Sequence, residues 1–313
     1  MTQSTSAAVH IQGSTIRYAE IEREGTALIL RRLDQTTAEV DLARAVWGEE
    51  ETPDALDRAE DLVQEMMGDA DVSLMGWVVD PLDVYSFFMP LPEGLGASER
   101  ERRIAYQAAL TTDTRSPEAL HTTSHAVRTV EVEGETTEWV HVLAVPQPVA
   151  DRMASLSVPV PASNRVRMTS PKAAAQAMRR HAGGQEETAD ADDISYRLAM
   201  GQYPSHTEYA LTHNGQWHHA HAAEEARAAE NRVYYAVGFL NRIEVSPDQV
   251  DEVFVYGPDA APDPEGPIAE VFGMPPVRLD PFVGLRVTDE SPAQGPAGGY
   301  VPCIGGALAA QPT

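Results

Sequence analysis

The chain has 313 residues, 48 acidic and 23 basic, for a formal charge of −25. That balance excludes a general nucleic-acid binder, because phosphate contacts need clustered Lys and Arg. The length suits two lobes, since single cores stop growing at roughly 250 to 300 residues. Lys172 is the only lysine, and it lies in SPKAAA rather than in a Gly-Lys-Ser/Thr step, which excludes P-loop chemistry. The single cysteine, Cys303 in YVPCIGGALAA, rules out an internal disulfide and reads as a small buried apolar residue. The acids are spread along the chain, as on a surface adapted to high salt, where repulsion is screened over about 3 Å at 1 M; an acidic patch for a basic partner is the other reading. MTQSTSAAVHIQG lacks the basic start and apolar core of a signal peptide, and no stretch approaches the ~20 apolar residues of a membrane span. A cytoplasmic location is expected.

One pattern occurs twice. AVHIQGSTIRYAEIEREGTALILRRL reads as a strand ending at Gly13 and a hairpin turning at Glu24-Gly25. SYRLAMGQYPSHTEYALTHNGQWHHAHA repeats it, with Gly201 after the strand and Asn214-Gly215 at the turn. Glycine supplies the positive φ of a tight hairpin, and Asn-Gly is the strongest short hairpin signal. Between the copies, VDLARAVWG and TPDALDRAEDLVQEMMG have helical spacing, followed by the β-rich DVSLMGWVVD and LDVYSFFMPLP. ASERERRIAYQAAL reads as a helix opened by a capping box from Ser98 to Glu101. HAVRTVEVEG and TEWVHVLAVP, joined through Glu133-Gly134-Glu135, read as strands, and PVADRMASL as a helix. A proline-rich connector, SVPVPAS, leads to RVRMTSPKAAAQAMRRH, read as one helix with Pro171 near its start, and to an acidic surface loop, GGQEETADADD. After the second hairpin come a helix (EEARAAENRVYYAVGFLNRI), a strand (DEVFVYG), a short helix (GPIAEVFG), a strand (PVRLDPF) and the closing YVPCIGGALAA.

This order resembles the actin-like (ASKHA) fold, and within it the family of the type IV pilus assembly protein PilM and its relative FtsA. The resemblance rests on the two glycine hairpins, the insert, the RMTSPKAAAQAMRRH segment, the run VDEVFVYGPDAAPDPEGPIAEVFGMPPVRLDPF and the ending YVPCIGGALAA. It implies an α/β fold with duplicated β-hairpin units: residues 1–75 as the first lobe, 76–156 as an α+β insert, and 157–313 as the second lobe with a C-terminal segment returning to the first. It also implies a nucleotide cleft formed by Gly13, Ser14, Thr15, Gly201, Thr207 and Gly257, with Ser205 nearby. In nucleotide-binding members an aspartate stands two residues before each hairpin glycine and positions magnesium and the attacking water. Ile11 and Ala199 stand there in this chain, and the adenosine loop has Gly257-Pro258, which lacks one backbone donor. The site therefore reads as vestigial and the chain as a pseudo-ATPase needing no cofactor. The function implied is a non-catalytic cytoplasmic scaffold, peripheral to the inner membrane, that holds the cytoplasmic tail of a pilus or secretion protein. The alternative is an ATP- and magnesium-binding member with Glu20 and Glu208 as substitute ligands.

His206, His213, His218, His219 and His221 fall close together, and His219 and His221 alternate onto one strand face. No Asp or Cys completes a recognised metal spacing, so solvent-facing histidines are the preferred reading. No G-x-S-x-G elbow supports a hydrolase, and His121, His125 and Asp113 lack any sign of triad geometry. Trp77, Val78, Val79, Tyr85, Phe87, Phe88 and Met89 read either as core strands or as the border of a peptide groove between insert and first lobe.

Overall fold

The computed structural model describes residues 4–48, 54–132, 134–156, 160–182, 195–226, 228–288 and 295–311. The first hairpin builds β1 (Ser4–Gln12), β2 (Thr15–Glu24) and β3 (Ala27–Thr37). Helices α1 (Leu42–Trp47) and α2 (Ala55–Met67) cover one sheet face, and β4 (Leu74–Val79) returns parallel to β1. Asp41 caps α1, its carboxylate accepting the Arg44 N–H at 3.0 Å.

The insert follows as β5 (Tyr85–Pro92), α3 (Ala97–Thr111), β6 (Leu120–Val132) and β7 (Glu135–Pro146), an antiparallel sheet in the order β5-β7-β6. Leu91, Ile104, Val140 and Val142 form its small core beneath α3. That helix is capped by Gly96, one residue before Ala97, so Ser98 lies inside the first turn and the expected capping box does not form.

Helix α4 (Gln147–Ser155) packs back on the first lobe through Val149, Ala150 and Met153. Next come β8 (Arg165–Thr169) and α5 (Ser170–Ala182). The segment expected to be one helix is thus a strand and a helix. Val166 and Met168 face the core while Arg165 and Arg167 point the other way, the period of a strand, and β8 pairs parallel to β4. Pro171 sets the break, because it suits the start of the helix and restricts the residue before it.

The second hairpin is β9 (Tyr196–Gln202), β10 (Thr207–His213) and β11 (Gln216–Ala223). Asn214 and Gly215 both have positive φ, 50° and 71°, as the expected two-residue turn requires. Helix α6 (Ala229–Arg242), β12 (Val250–Tyr256), α7 (Pro267–Phe272) and β13 (Val277–Arg278) complete a sheet ordered β11-β10-β9-β12-β13. The chain then returns to the first lobe. Strand β14 (Arg286–Val287) pairs with β3, and α8 (Val301–Ala310) packs on β1, β2 and β4.

The first sheet is therefore β14-β3-β2-β1-β4-β8, which corrects the expected boundaries. A division at 75/76 cuts through β4, and β8 from the 157–313 segment belongs to the first sheet. The insert sheet spans only β5 to β7. The acidic loop 183–193, Glu133 and Ser157–Pro159 of the connector lie outside the described residues.

Between the two sheets lie α5 and α8, packed on each other, α8 rich in Gly and Ala and α5 carrying a run of buried alanines at 173–175 and 177. Glycine permits this closeness: a Cβ on Gly306 would stand 2.5 Å from Val78 Cγ2, and one on Gly76 2.9 Å from the Gly306 carbonyl oxygen. Cys303 is buried in this layer, and burial pushes its thiol up to about 12, far from a reactive thiolate. Among the described residues no helix is long and apolar enough to cross a membrane.

Candidate functional site

The cleft between the sheets is where the two hairpins face each other, and its walls follow from strand register. Gly13, at φ 55°, and Ser14 make the β1–β2 turn. Their carbonyls accept the N–H groups of Ala43 (3.0 Å) and Ala38 (2.8 Å), while the Thr15 hydroxyl lies 3.5 Å from that of Thr37. Gly201 does not end its strand but lies inside β9, which runs on to Gln202. A Cβ there would stand 2.6 Å from Cζ of Tyr256, so the glycine makes room for that ring. Thr207 donates its hydroxyl to the Ala226 carbonyl inside the second lobe. Gly257, at φ 99°, donates its N–H to the Gly298 carbonyl at 2.9 Å.

Gly201, Thr207 and Gly257 thus gather around Gln202, whereas Gly13, Ser14 and Thr15 belong to the other lobe and share no hydrogen bond with them among the described residues. Ile11 packs against the first-lobe core and Ala199 is fully buried in the second. Glu20, on β2, accepts from the Tyr18 hydroxyl at 3.2 Å.

A set of the protein's own polar side chains fills the space between the lobes. Asp80 follows β4, and His206 and Glu208 lie at the start of β10; all three are buried. Nε2 of His206 is 3.1 Å from Glu208 Oε1 and 3.5 Å from Asp80 Oδ1. Ser170 at the start of α5 donates to Glu208 Oε1, and the Tyr256 hydroxyl donates to Oε2 at 2.8 Å. Ser205 Oγ lies 2.8 Å from His206 Nδ1, and the Tyr203 ring stacks on the imidazole with centroids 4.8 Å apart. Burial pushes Asp80 up to about 7, partly offset by His206. Burial alone lowers His206, but the Glu208 hydrogen bond and the charges of Glu208 and Asp80 outweigh it and raise that group overall. His10 on β1 is held near 3 by burial and then by Arg17 and His206.

A second junction joins the insert to the second lobe. Phe88 and His141 pack on Trp217 with centroids 5.4 and 4.6 Å apart, and Arg128 Nη1 lies 2.9 Å from His218 Nδ1 and 3.1 Å from His219 Nδ1. A guanidinium between these imidazoles occupies the place a metal cation would need. The five clustered histidines therefore divide: His218 and His219 serve this junction, His206 faces the cleft, His213 stacks on Tyr196 and His221 on Tyr209. The hydrophobic run divides as well. Trp77, Val78 and Val79 are core on β4, Phe88 turns to the second lobe, Phe87 and Met89 pack under α3, and Tyr85 is exposed.

Lys172 lies 8 % exposed with Nζ 5.5 Å from the Trp217 ring, and burial lowers its ammonium to about 7. Its folded value is depressed, so the cost of holding the charge is full below 7 and fades as pH rises toward 10.5. Lys172→Met is accordingly expected to raise stability by about 2 kcal/mol near pH 6 and by less near pH 10, as measured by urea unfolding at both pH values.

Paired hairpin sheets, an insert after the fourth strand and two helices crossing between the sheets define an actin-like fold. A chain of the PilM–PilN type IV pilus biogenesis complex is similar over 99 % of both chains, with a TM-score of 0.71 and 14 % identity. An actin-like ATPase-fold protein of unknown function from Bacteroides thetaiotaomicron is similar over 95 % of this chain and 93 % of its own, with a TM-score of 0.50 and 8 % identity. At such identities the likeness is one of fold. No protein-family model and no curated protein matches the chain.

Asp80 had no sequence signal beyond an acid directly after three buried strand residues, Trp77 to Val79. The sequence offers Glu208 only as a substitute ligand beside Glu20 and His206 only as one of a cluster, and nothing local joins them.

Proposed function

We propose that this chain is a non-catalytic actin-like scaffold, cytoplasmic and peripheral to the inner membrane, that holds the cytoplasmic tail of a pilus or secretion protein. One observation supports the reading: side chains of the protein itself fill the space between the lobes, where the resemblance puts magnesium and phosphate. Tyr256 lies against Gly201, Glu208 is satisfied by Ser170 and Tyr256, and the Gly257 amide is spent on Gly298. The full-length fold likeness to a chain of a complex of PilM with PilN supports the choice of partner class.

A small cavity of about 20 Å³ opens where α4 meets α1 and the ends of β1 and β4, lined by Ile11, Val46, Trp47, Trp77 and Met153, with Asp80 and Asp83 at its edge. The cavity has room for about one water, so an apolar anchor enters only as α4 parts from α1; its acidic edge then suits basic neighbours, the composition of cytoplasmic juxtamembrane segments. The test is affinity capture from detergent-solubilised membranes with the wild type and Trp47→Ala. Recovery of a single-span membrane protein by the wild type, reduced at least tenfold by the substitution, is the expected result; no such protein, or equal recovery by both, contradicts the reading. The second reading, a magnesium-nucleotide site using Glu208 and Asp80, draws on their place in the cleft and is separated by titration with ATP.

A further inference from the structure

The cleft cluster gathers two carboxylates around one imidazole. Asp80 and Glu208 lie in a buried space, and among the described residues neither pairs with an arginine or lysine. His206 Nε2 faces both, so the place between them takes a proton or a cation. A divalent cation balances both carboxylates at once.

The geometry suits the cation. One ligand atom from each of Asp80, His206 and Glu208 lies within 4.8 Å of the others. The separations from Nε2, 3.1 and 3.5 Å, bracket the edge of about 3.3 Å of a tetrahedron with metal–ligand bonds of about 2.0–2.1 Å. Ser205 at Nδ1 and the stacked Tyr203 ring fix the imidazole plane, as outer partners of metal-bound histidines do. Two buried polar groups beside the cluster, the Tyr203 hydroxyl and His10 Nδ1, have no hydrogen-bond partner among the described residues.

We propose that Asp80, His206 and Glu208 bind a first-row divalent cation, zinc foremost, which bridges the two lobes. One carboxylate and one imidazole with a second carboxylate form a nitrogen–oxygen set suited to zinc. Asp80 comes from the first lobe and the other two from the second, so the ion fastens the lobes without nucleotide and enters when they part.

The test uses the full chain stripped with EDTA. Zinc chloride titrated calorimetrically is expected to bind one ion per chain and to raise the thermal midpoint. Cobalt in its place is expected to show the intense visible bands of four-coordinate geometry. The near-isosteric variants Asp80→Asn and Glu208→Gln, checked for native circular dichroism, are expected to lose at least a hundredfold in zinc affinity and the thermal shift with it. A paired His218→Gln, His219→Gln variant is expected to keep both. Absence of zinc binding by the wild type overturns the proposal, as does binding that survives Asp80→Asn and Glu208→Gln.

Discussion

Replacing Gly305 by alanine is expected to cost about 3 kcal/mol or more, or to prevent folding, although glycine-to-alanine in a helix ordinarily gains up to about 1 kcal/mol. The reversal follows from one contact. A Cβ on Gly305 would stand 2.6 Å from the carbonyl carbon of Ala173 on α5, too close for any rotamer to relieve, because the obstruction is backbone. Both helices would have to separate, and they are the layer on which the two sheets are assembled. Gly238 in α6 is the matched control: nothing lies within 4 Å of the Cβ it would gain, so Gly238→Ala is expected to be neutral or stabilising. Urea unfolding of the two variants beside the wild type measures both effects, and equal behaviour of the variants would contradict the packing described for α5 and α8.

Acidification is expected to unfold the protein well above the range where surface carboxylates titrate. Burial holds His10 near 3 and His125 near 4, and lowers His141 well below its usual value. All three stay neutral in the folded state while the unfolded chain binds protons below 6.5. Stability is therefore lost as pH falls from 6.5 toward 4, by about 1.4 kcal/mol per pH unit for each group. Asp80 works the other way: its raised value makes it costly above 7, and that cost is relieved as pH falls toward 3.8. His206, raised in the fold, contributes fully below 6.5 and adds no slope there. These three histidines against Asp80 leave a net loss of about 3 kcal/mol per pH unit between pH 6 and 4.5, and the less buried His218, His219 and His221, also lowered by burial, add in the same direction. Denaturant unfolding in about 1 M salt, where surface repulsion is screened, measures it. His141→Phe, placed between Phe88 and Trp217, is expected to flatten the slope by about 1.4 kcal/mol per pH unit; a stability that rises on acidification would show that the buried histidines are not neutral.

Local signals were readable where local physics decides. Asn214-Gly215 needed positive φ at both positions whatever the rest of the chain did, and Gly13 likewise at its turn. The helices from Ala55 and Ala229 carry their core residues at helical spacing, and both were legible. Tertiary contacts decided the rest. RVRMT alternates over only five residues, too few to tell strand from helix until β4 offers a partner. Gly201 looked like a glycine that ends a strand, yet its reason is a tyrosine ring 55 residues further on. The cleft cluster draws Asp80 from one lobe and His206 and Glu208 from the other, and proximity along the chain grouped His206 with neighbours that face the insert instead.

Calorimetric titration of magnesium ATP into the purified chain at high salt tests most directly whether the protein's own side chains have taken the place of nucleotide. No heat of binding at millimolar nucleotide is the result expected from a cleft filled by Tyr256, Glu208 and His206. Micromolar binding would contradict it and return Gly13, Thr15, Gly201 and Gly257 to the role of a working nucleotide site.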